Sequence, residues 1–286
     1  MARSFSEKVI LGRSGLRASR LGLGSSFGLE ASDVEWAADR GVNYFYWGSN
    51  PRPAFGKGMA AVAKRDREGT IVVVQSYSRA AFFIRPSLEI ALRRLGLDHT
   101  DFLLLGWWNQ PPPRSIVDAA LSLKEAGKAR SILISCHDRK TFEKLIADPA
   151  YGGIMVRYNA AHPGAEREVF PYLDATSQPR PGVVTYTATR WGGLLDPKLI
   201  PASEPAPRAS DCYRFAMTHR DVDVTIAGCK NRFELAEALA AVTRGPMDED
   251  ELAWMKRVGA VVRDKAQKGP PKAVQLLDKW MGAGGS

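Results

Sequence analysis

The side chains of this chain that could do chemistry collect at the ends of short apolar runs. Tyr46 and Trp47 end one run, Gln75 and Tyr77 the next, and Trp107, Trp108 and Asn109 a third. Ser135, Cys136 and His137 follow in order, then Tyr158 and Asn159, then Tyr186 and Thr187, and finally Gly228, Lys230 and Asn231. Phenols can give up a proton, amides can orient a carbonyl, and a thiol beside an imidazole can become a nucleophile. No carboxylate occurs among these positions, which argues against a paired-carboxylate hydrolase and against an acidic metal site. No metal is expected. So many large rings in adjacent loops would be costly to leave in water, and they point to a pocket for an aromatic or amphiphilic small molecule.

Each of these residues also has a plainer reading. His137 reads equally as a surface or capping histidine, and Cys136 as a small buried side chain whose sole basic neighbour is His137. Lys230 reads as a solvated loop lysine, and Asn231 with Glu234 as a helix-capping pair that needs no ligand. Tyr186 reads as core packing, although its place at the end of an apolar run favours a role in a site.

The elements that must position these groups repeat in a regular way. Apolar or β-branched runs at 20–25, 42–46, 71–75, 102–107, 130–135, 154–158, 182–187 and 222–227 read as strands buried on both faces of a parallel sheet. Helical segments separate them. Ile84, Leu88, Leu92 and Leu95 share one helix face, with Pro86 tolerated in the first turn. Ser32 and Glu35 have capping-box spacing before a helix closed by Gly41, and Asp138 and Asn231 read as further N-caps. Strand–helix alternation repeated eight times predicts an α/β fold, a (β/α)8 TIM barrel with extra C-terminal helices at 247–262 and 273–281. An open doubly wound sheet is the alternative. In a barrel the residues named above fall at the strand C-termini, where reactive groups gather.

The chain has 286 residues, 45% hydrophobic and 25% charged, ordinary values for a globular protein and compatible with one barrel domain over 1–286 ending in a flexible tail at 282–286. The strongest apolar stretch spans seven residues, 102–108, too short for a bilayer, and the N-terminus has no secretory pattern. Three cysteines without a C-x-x-C pair fit a reducing cytosol. The net charge of +9 raises the prospect of an anionic partner, yet the basic residues are scattered in ones and twos. No basic stripe interleaved with aromatics occurs, which argues against nucleic acid. No oligomer is predicted.

In order along the chain, LGRSGLRASRLGLGS, GVNYF, LRRLGLDHTDFLLL, AGKARSILIS, VRYN, VVTYT and IAGCKNRFELAEAL resemble landmarks of the aldo-keto reductase superfamily, from about Leu11 to Val242. The resemblance implies a barrel opened by an N-terminal β-hairpin, and reduction of carbonyls by NADPH through an Asp, Tyr, Lys and His tetrad. At the matching positions this chain has Tyr46 for the Asp, Gln75 for the Lys and Gly106 for the His, and no tyrosine in the stretch 47–55. Tyr46, Gln75, Tyr77, Trp107 and His137 are therefore the candidate catalytic residues of an atypical site. The resemblance also implies cofactor contacts by Ser135, Cys136, Tyr186, Thr187, Gly228, Lys230 and Asn231. Cys136 and Met155 stand where an Asn and a Gln are usual, and Ala236 replaces a later arginine, so the NADP site is kept in part and weakened. Three classes follow: an NADP-dependent oxidoreductase with substitute groups, a non-redox enzyme, or a binding or regulatory protein without chemistry.

Overall fold

A computed structural model describes residues 4–48, 50–175 and 179–267. A two-stranded antiparallel hairpin comes first, β1 (Val9–Ile10) and β2 (Arg17–Ala18). Eight parallel strands then close into a barrel: β3 (Leu21–Gly24), β4 (Tyr44–Trp47), β5 (Ile71–Ser76), β6 (Thr100–Trp108), β7 (Ala129–Cys136), β8 (Gly153–Arg157), β9 (Gly182–Tyr186) and β10 (Val224–Ala227). Closure is direct, with Thr225, Ile226 and Ala227 in register with Leu21, Gly22 and Leu23. The closed sheet settles the choice left open by the sequence in favour of the (β/α)8 barrel, and the hairpin is present as the resemblance implied.

Period-two alternation divides the core into two layers. Inside the barrel lie Tyr44, Tyr46, Ile71, Val73, Phe102, Leu104, Leu133, Met155, Val184, Val224 and Ile226, with Leu11, Leu16 and Ala18 of the hairpin closing the floor. Tyrosines fit on β4 because the facing strand carries glycine. A Cβ at Gly22 would come within 2.7 Å of the Tyr44 ring. The alternate residues, among them Phe45, Trp47, Val72, Leu103, Ile132, Ile154 and Val183, pack outward against the helices.

Those helices are α1 (Ala31–Ala38), α2 (Pro53–Arg65), α3 (Ile84–Leu95), α4 (Arg114–Glu125), α5 (Phe142–Ala147), α6 (Ala165–Glu168), α7 (Pro171–Asp174), α8 (Ala209–Thr218), α9 (Arg232–Arg244) and α10 (Glu249–Gln267). α3 buries Ile84, Leu88, Leu92 and Leu95 as the spacing predicts and ends on left-handed Gly96. Asn231 caps α9 by accepting from Glu234 N–H at 3.0 Å, and Asp138 accepts from Lys140 N–H at 3.1 Å. The cap of α1 differs from expectation. Its helix begins two residues early, so Glu30 N–H donates to Asp33 Oδ2 at 3.1 Å, and Ser32 and Glu35 lie inside the helix. Asp33 is favoured because it also holds Arg232 at 2.7 Å. The first extra helix is α10; the second, at 273–281, lies outside the described residues, as does the tail at 282–286. Among the described residues no helix is long and apolar enough to cross a membrane, and no group of three or more potential ligands could hold a metal.

Candidate functional site at the barrel mouth

Strand alternation decides which of the candidate residues face the mouth. Tyr46, Gln75 and Gly106 are successive inward positions on three neighbouring strands, with Tyr46 paired in register with Val73 and Gln75 with Leu104. Tyr46 is buried and its O–H donates to Gln75 Oε1. Two glycines make room for the pair. A Cβ at Gly106 would sit 1.6 Å from Gln75 Nε2, and one at Gly48 would sit 2.4 Å from the Tyr46 ring. The three residues that replace tetrad members in the resemblance thus form one packed unit. A carbonyl acceptor favours the neutral phenol, whereas an ammonium would favour the phenolate.

Tyr77 and Trp107, just beyond Gln75 and Gly106 in the chain, meet edge to face with centroids 5.0 Å apart. Trp107 holds φ +60°, a region costly for a bulky residue, at the register shift between Leu105 and Trp108. Its N–H donates to Ser135 Oγ at 3.0 Å, and its carbonyl accepts from Arg79 at 2.6 Å. The Arg79 guanidinium lies 4.2 Å from the centroid of Trp108. Trp108 itself packs toward the helices, with its buried Nε1–H lacking a hydrogen-bond partner among the described residues. Trp47 also turns outward and donates to the Arg52 carbonyl at 3.1 Å, so it packs on α2 and does not join an aromatic pocket.

Ser135 faces the interior, while Cys136 lies in the helix-side layer and donates to the Asp138 carbonyl at 3.3 Å. Burial pushes the Cys136 thiol up to about 11, far from a thiolate at neutral pH. His137 is half-buried and its N–H donates to the Trp108 carbonyl at 3.0 Å. Across the mouth, Tyr186 is half-buried at the end of β9, in register with Arg157. Burial raises its phenol, and a hydrogen bond with Arg157 works against that rise. Thr187 follows with φ +60°, held by Asn159 Nδ2 donating to its carbonyl at 2.8 Å. Tyr158 turns away to donate to Glu166 at 2.7 Å.

The turn after β10 is separate from this cluster. Lys230 has a side chain 69% exposed, with its ammonium 4.0 Å from Glu234. Glu234 also accepts from Lys230 N–H at 2.8 Å, so a carboxylate already occupies the start of α9. Gly228 is packed against the Phe27 ring, and Asn231 is committed to its cap. Arg232, at the start of the same helix as Ala236, is engaged by Asp33 and by the Trp36 ring.

Sequence reasoning overlooked Arg79, Arg157 and Arg190. Arg157 was within reach, since it lies two residues after inward Met155 and must share its face. Arg79 and Arg190 sit on loops where no periodicity applies.

No family model matches the chain. Among solved structures it is similar to a holo-form aldo-keto reductase from Bacillus halodurans, at 18% identity and TM-score 0.74, over 88% of this chain and 96% of that one. It is also similar to an aldo/keto reductase from Klebsiella pneumoniae in complex with NADP and acetate, at 19% identity and TM-score 0.73, over 89% of this chain and 96% of that one. The barrel is therefore the fold of the aldo-keto reductases, hairpin included.

Proposed function

We propose that the mouth binds NADP(H) and that the chain is an oxidoreductase of aldo-keto reductase type with an atypical site, acting on an aromatic or amphiphilic carbonyl compound. The observation that carries this reading is the Tyr46–Gln75 pair, facing inward on strands across the barrel from Tyr186. The Klebsiella relative's complex with NADP supports the choice of cofactor. The residues present fit the nicotinamide end: a half-buried ring at Tyr186, the Ser135 hydroxyl for a carboxamide, and Thr187 beside them. At the phosphate end Lys230 contributes charge against Glu234, so affinity for the 2′-phosphate is reduced. When bound, the cofactor supplies a hydride equivalent to a carbonyl carbon.

The chain's own residues then supply the proton. Tyr46 gives its phenolic proton to the substrate oxygen, and Gln75 turns its amide so that Nε2–H meets the phenolate left behind. Water returns the proton. A neutral amide stabilises a phenolate less than an ammonium does, so catalysis is slow compared with an enzyme holding a lysine there. The rings of Tyr77 and Trp107 exclude water and select a flat, apolar substrate. His137 stands at the rim, where it contacts the substrate rather than the proton path. Three buried free cysteines support a cytosolic setting.

Turnover of a panel of aryl aldehydes and ketones with NADPH tests the role of Tyr46. Small aryl aldehydes should react only at trace rates. For the best substrate, Tyr46→Phe should lower kcat by about 10²–10⁴-fold with NADPH binding kept. Equal turnover by the variant would remove Tyr46 from the mechanism. The binding or regulatory reading is favoured by the same hydrogen bond, since the Tyr46 proton is already directed at Gln75. It predicts NADPH binding without turnover on any panel member.

A further inference from the structure

We propose that the cleft beside the barrel mouth is a second ligand site, specific for a small phosphorylated anion and independent of the Lys230 turn. The cleft has a volume of about 310 Å³ and is walled by Arg139, Arg167, Arg190 and Arg263, with His162 and Glu168. These arginines come from four separate segments: the turn after β7, α6, the loop after β9, and α10. Like charges repel, so a fold does not gather four guanidinium groups around open space without something of opposite sign to face.

Among the described residues, carboxylates do not balance the group. Glu168 is held in a forked pair by Arg139 at 3.0 and 3.3 Å. Asp264 lies 3.5 Å from Arg263 but is largely in water. The lining keeps an excess of three positive charges when His162 is neutral. His162 is indeed neutral at pH 7, because burial and then Arg157, Arg190, Arg139 and Arg263 lower it to about 4. The buried Nε atoms of Arg190, in the wall, and of Arg157 have no hydrogen-bond partner among the described residues.

The loop carrying Arg190 is built at a cost. Arg190 and Trp191 hold φ +54° and +52°, a region that non-glycine residues rarely adopt, and the Trp191 ring lies 5.1 Å from the Arg157 guanidinium. Guanidinium forks match the oxygens of a phosphoryl group in bidentate fashion, which makes a phosphate the ligand class of choice over a singly charged carboxylate. The exposed Trp191 ring beside the cleft offers a face for an organic moiety carrying that phosphate.

Calorimetric titration of the full chain at low ionic strength with phenyl phosphate and with inorganic phosphate tests this site. Saturable binding of phenyl phosphate near one per chain is expected, weakened at least about tenfold in Arg167→Gln/Arg263→Gln and unchanged in Lys230→Ala. Arg167 is exposed and Arg263 half-exposed, and an unchanged unfolding transition shows that the double variant folds. Tighter binding of phenyl phosphate than of inorganic phosphate assigns an organic phosphate, and equal binding assigns the free anion. No saturable binding of either, equal binding by the double variant, or loss in Lys230→Ala would overturn the proposal. NADPH titration of the double variant should match wild type, which separates this site from the cofactor reading.

Discussion

At the end of the barrel where strands begin, charges are met by opposite charges and by backbone. Asp223, buried before β10, accepts two bonds from Arg180 at 2.7 and 2.8 Å and a third from Val183 N–H at 2.8 Å. Asp101 at the start of β6 receives Val72 N–H at 2.8 Å and Arg67 at 2.9 Å, with Arg130 3.5 Å away. Arg214, near the last turn of α8, is gripped by Glu251 of α10 and donates to the Gly245 and Pro246 carbonyls. At the mouth the backbone differs. The positive-φ non-glycine residues among the described ones, Trp107, Thr187, Arg190 and Trp191, all lie there. One end is arranged to hold the barrel together. The other holds the strained backbone, as functional ends of barrels often do.

The largest effect should come from the first end. Asp223→Ala leaves a guanidinium and a buried N–H without their acceptor, and should cost about 3–5 kcal/mol in chemical denaturation. A loss below about 1 kcal/mol would show that the ion pairs there are decoration. The same end should respond to acid. Arg214 holds the Glu251 carboxyl below its usual range, so this pair adds stability above the unfolded carboxyl's titration. That contribution disappears as pH falls through the lowered folded value. Glu251→Gln should flatten this part of the stability profile as pH falls through and below the ordinary carboxylate range.

A smaller effect is expected at the mouth. Gly106→Ala places a methyl where the Gln75 amide sits, and should cost about 1–3 kcal/mol as that flexible side chain is displaced from Tyr46. Its signature is catalytic as well as thermodynamic, because activity on the best substrate should fall further than stability does. If activity persists with the amide displaced, Gln75 takes no part in proton transfer.

The smallest effects concern the turn after β10. Lys230→Ala should weaken NADPH binding about tenfold and leave NADH unaffected, a modest loss for a lysine so exposed. Glu234→Gln should act in the opposite sense, since it removes a negative charge from the start of α9 while keeping a capping side chain. If neither variant separates the two dinucleotides, the 2′-phosphate does not bind at this turn.

The contrast between the two ends also explains what the sequence could and could not reveal. All eight strands were legible because their residues are buried on both faces, so short unbroken apolar runs mark them. The mouth was legible where strand parity reaches it, at Tyr46, Gln75, Ser135 and Tyr186. Parity applied strictly would also have sent Trp47 and Cys136 to the helix side and Arg157 to the interior. The arginine cleft was not legible, since Arg139, Arg167, Arg190 and Arg263 are distant in sequence and each reads alone as a solvated surface residue. The first helix cap was misplaced because the contact that fixes it, Arg232 with Asp33, spans 199 positions.

The central claim is that the mouth holds a nicotinamide cofactor against Tyr186. It is tested most directly by titrating the protein with NADPH and following tryptophan fluorescence, since Trp107 and Trp191 stand at the rim. A saturable change with a dissociation constant in the range of about 1 μM to 1 mM is predicted, weakened at least about tenfold by Tyr186→Ala. A flat titration to millimolar NADPH, or one that Tyr186→Ala leaves unchanged, would contradict the account.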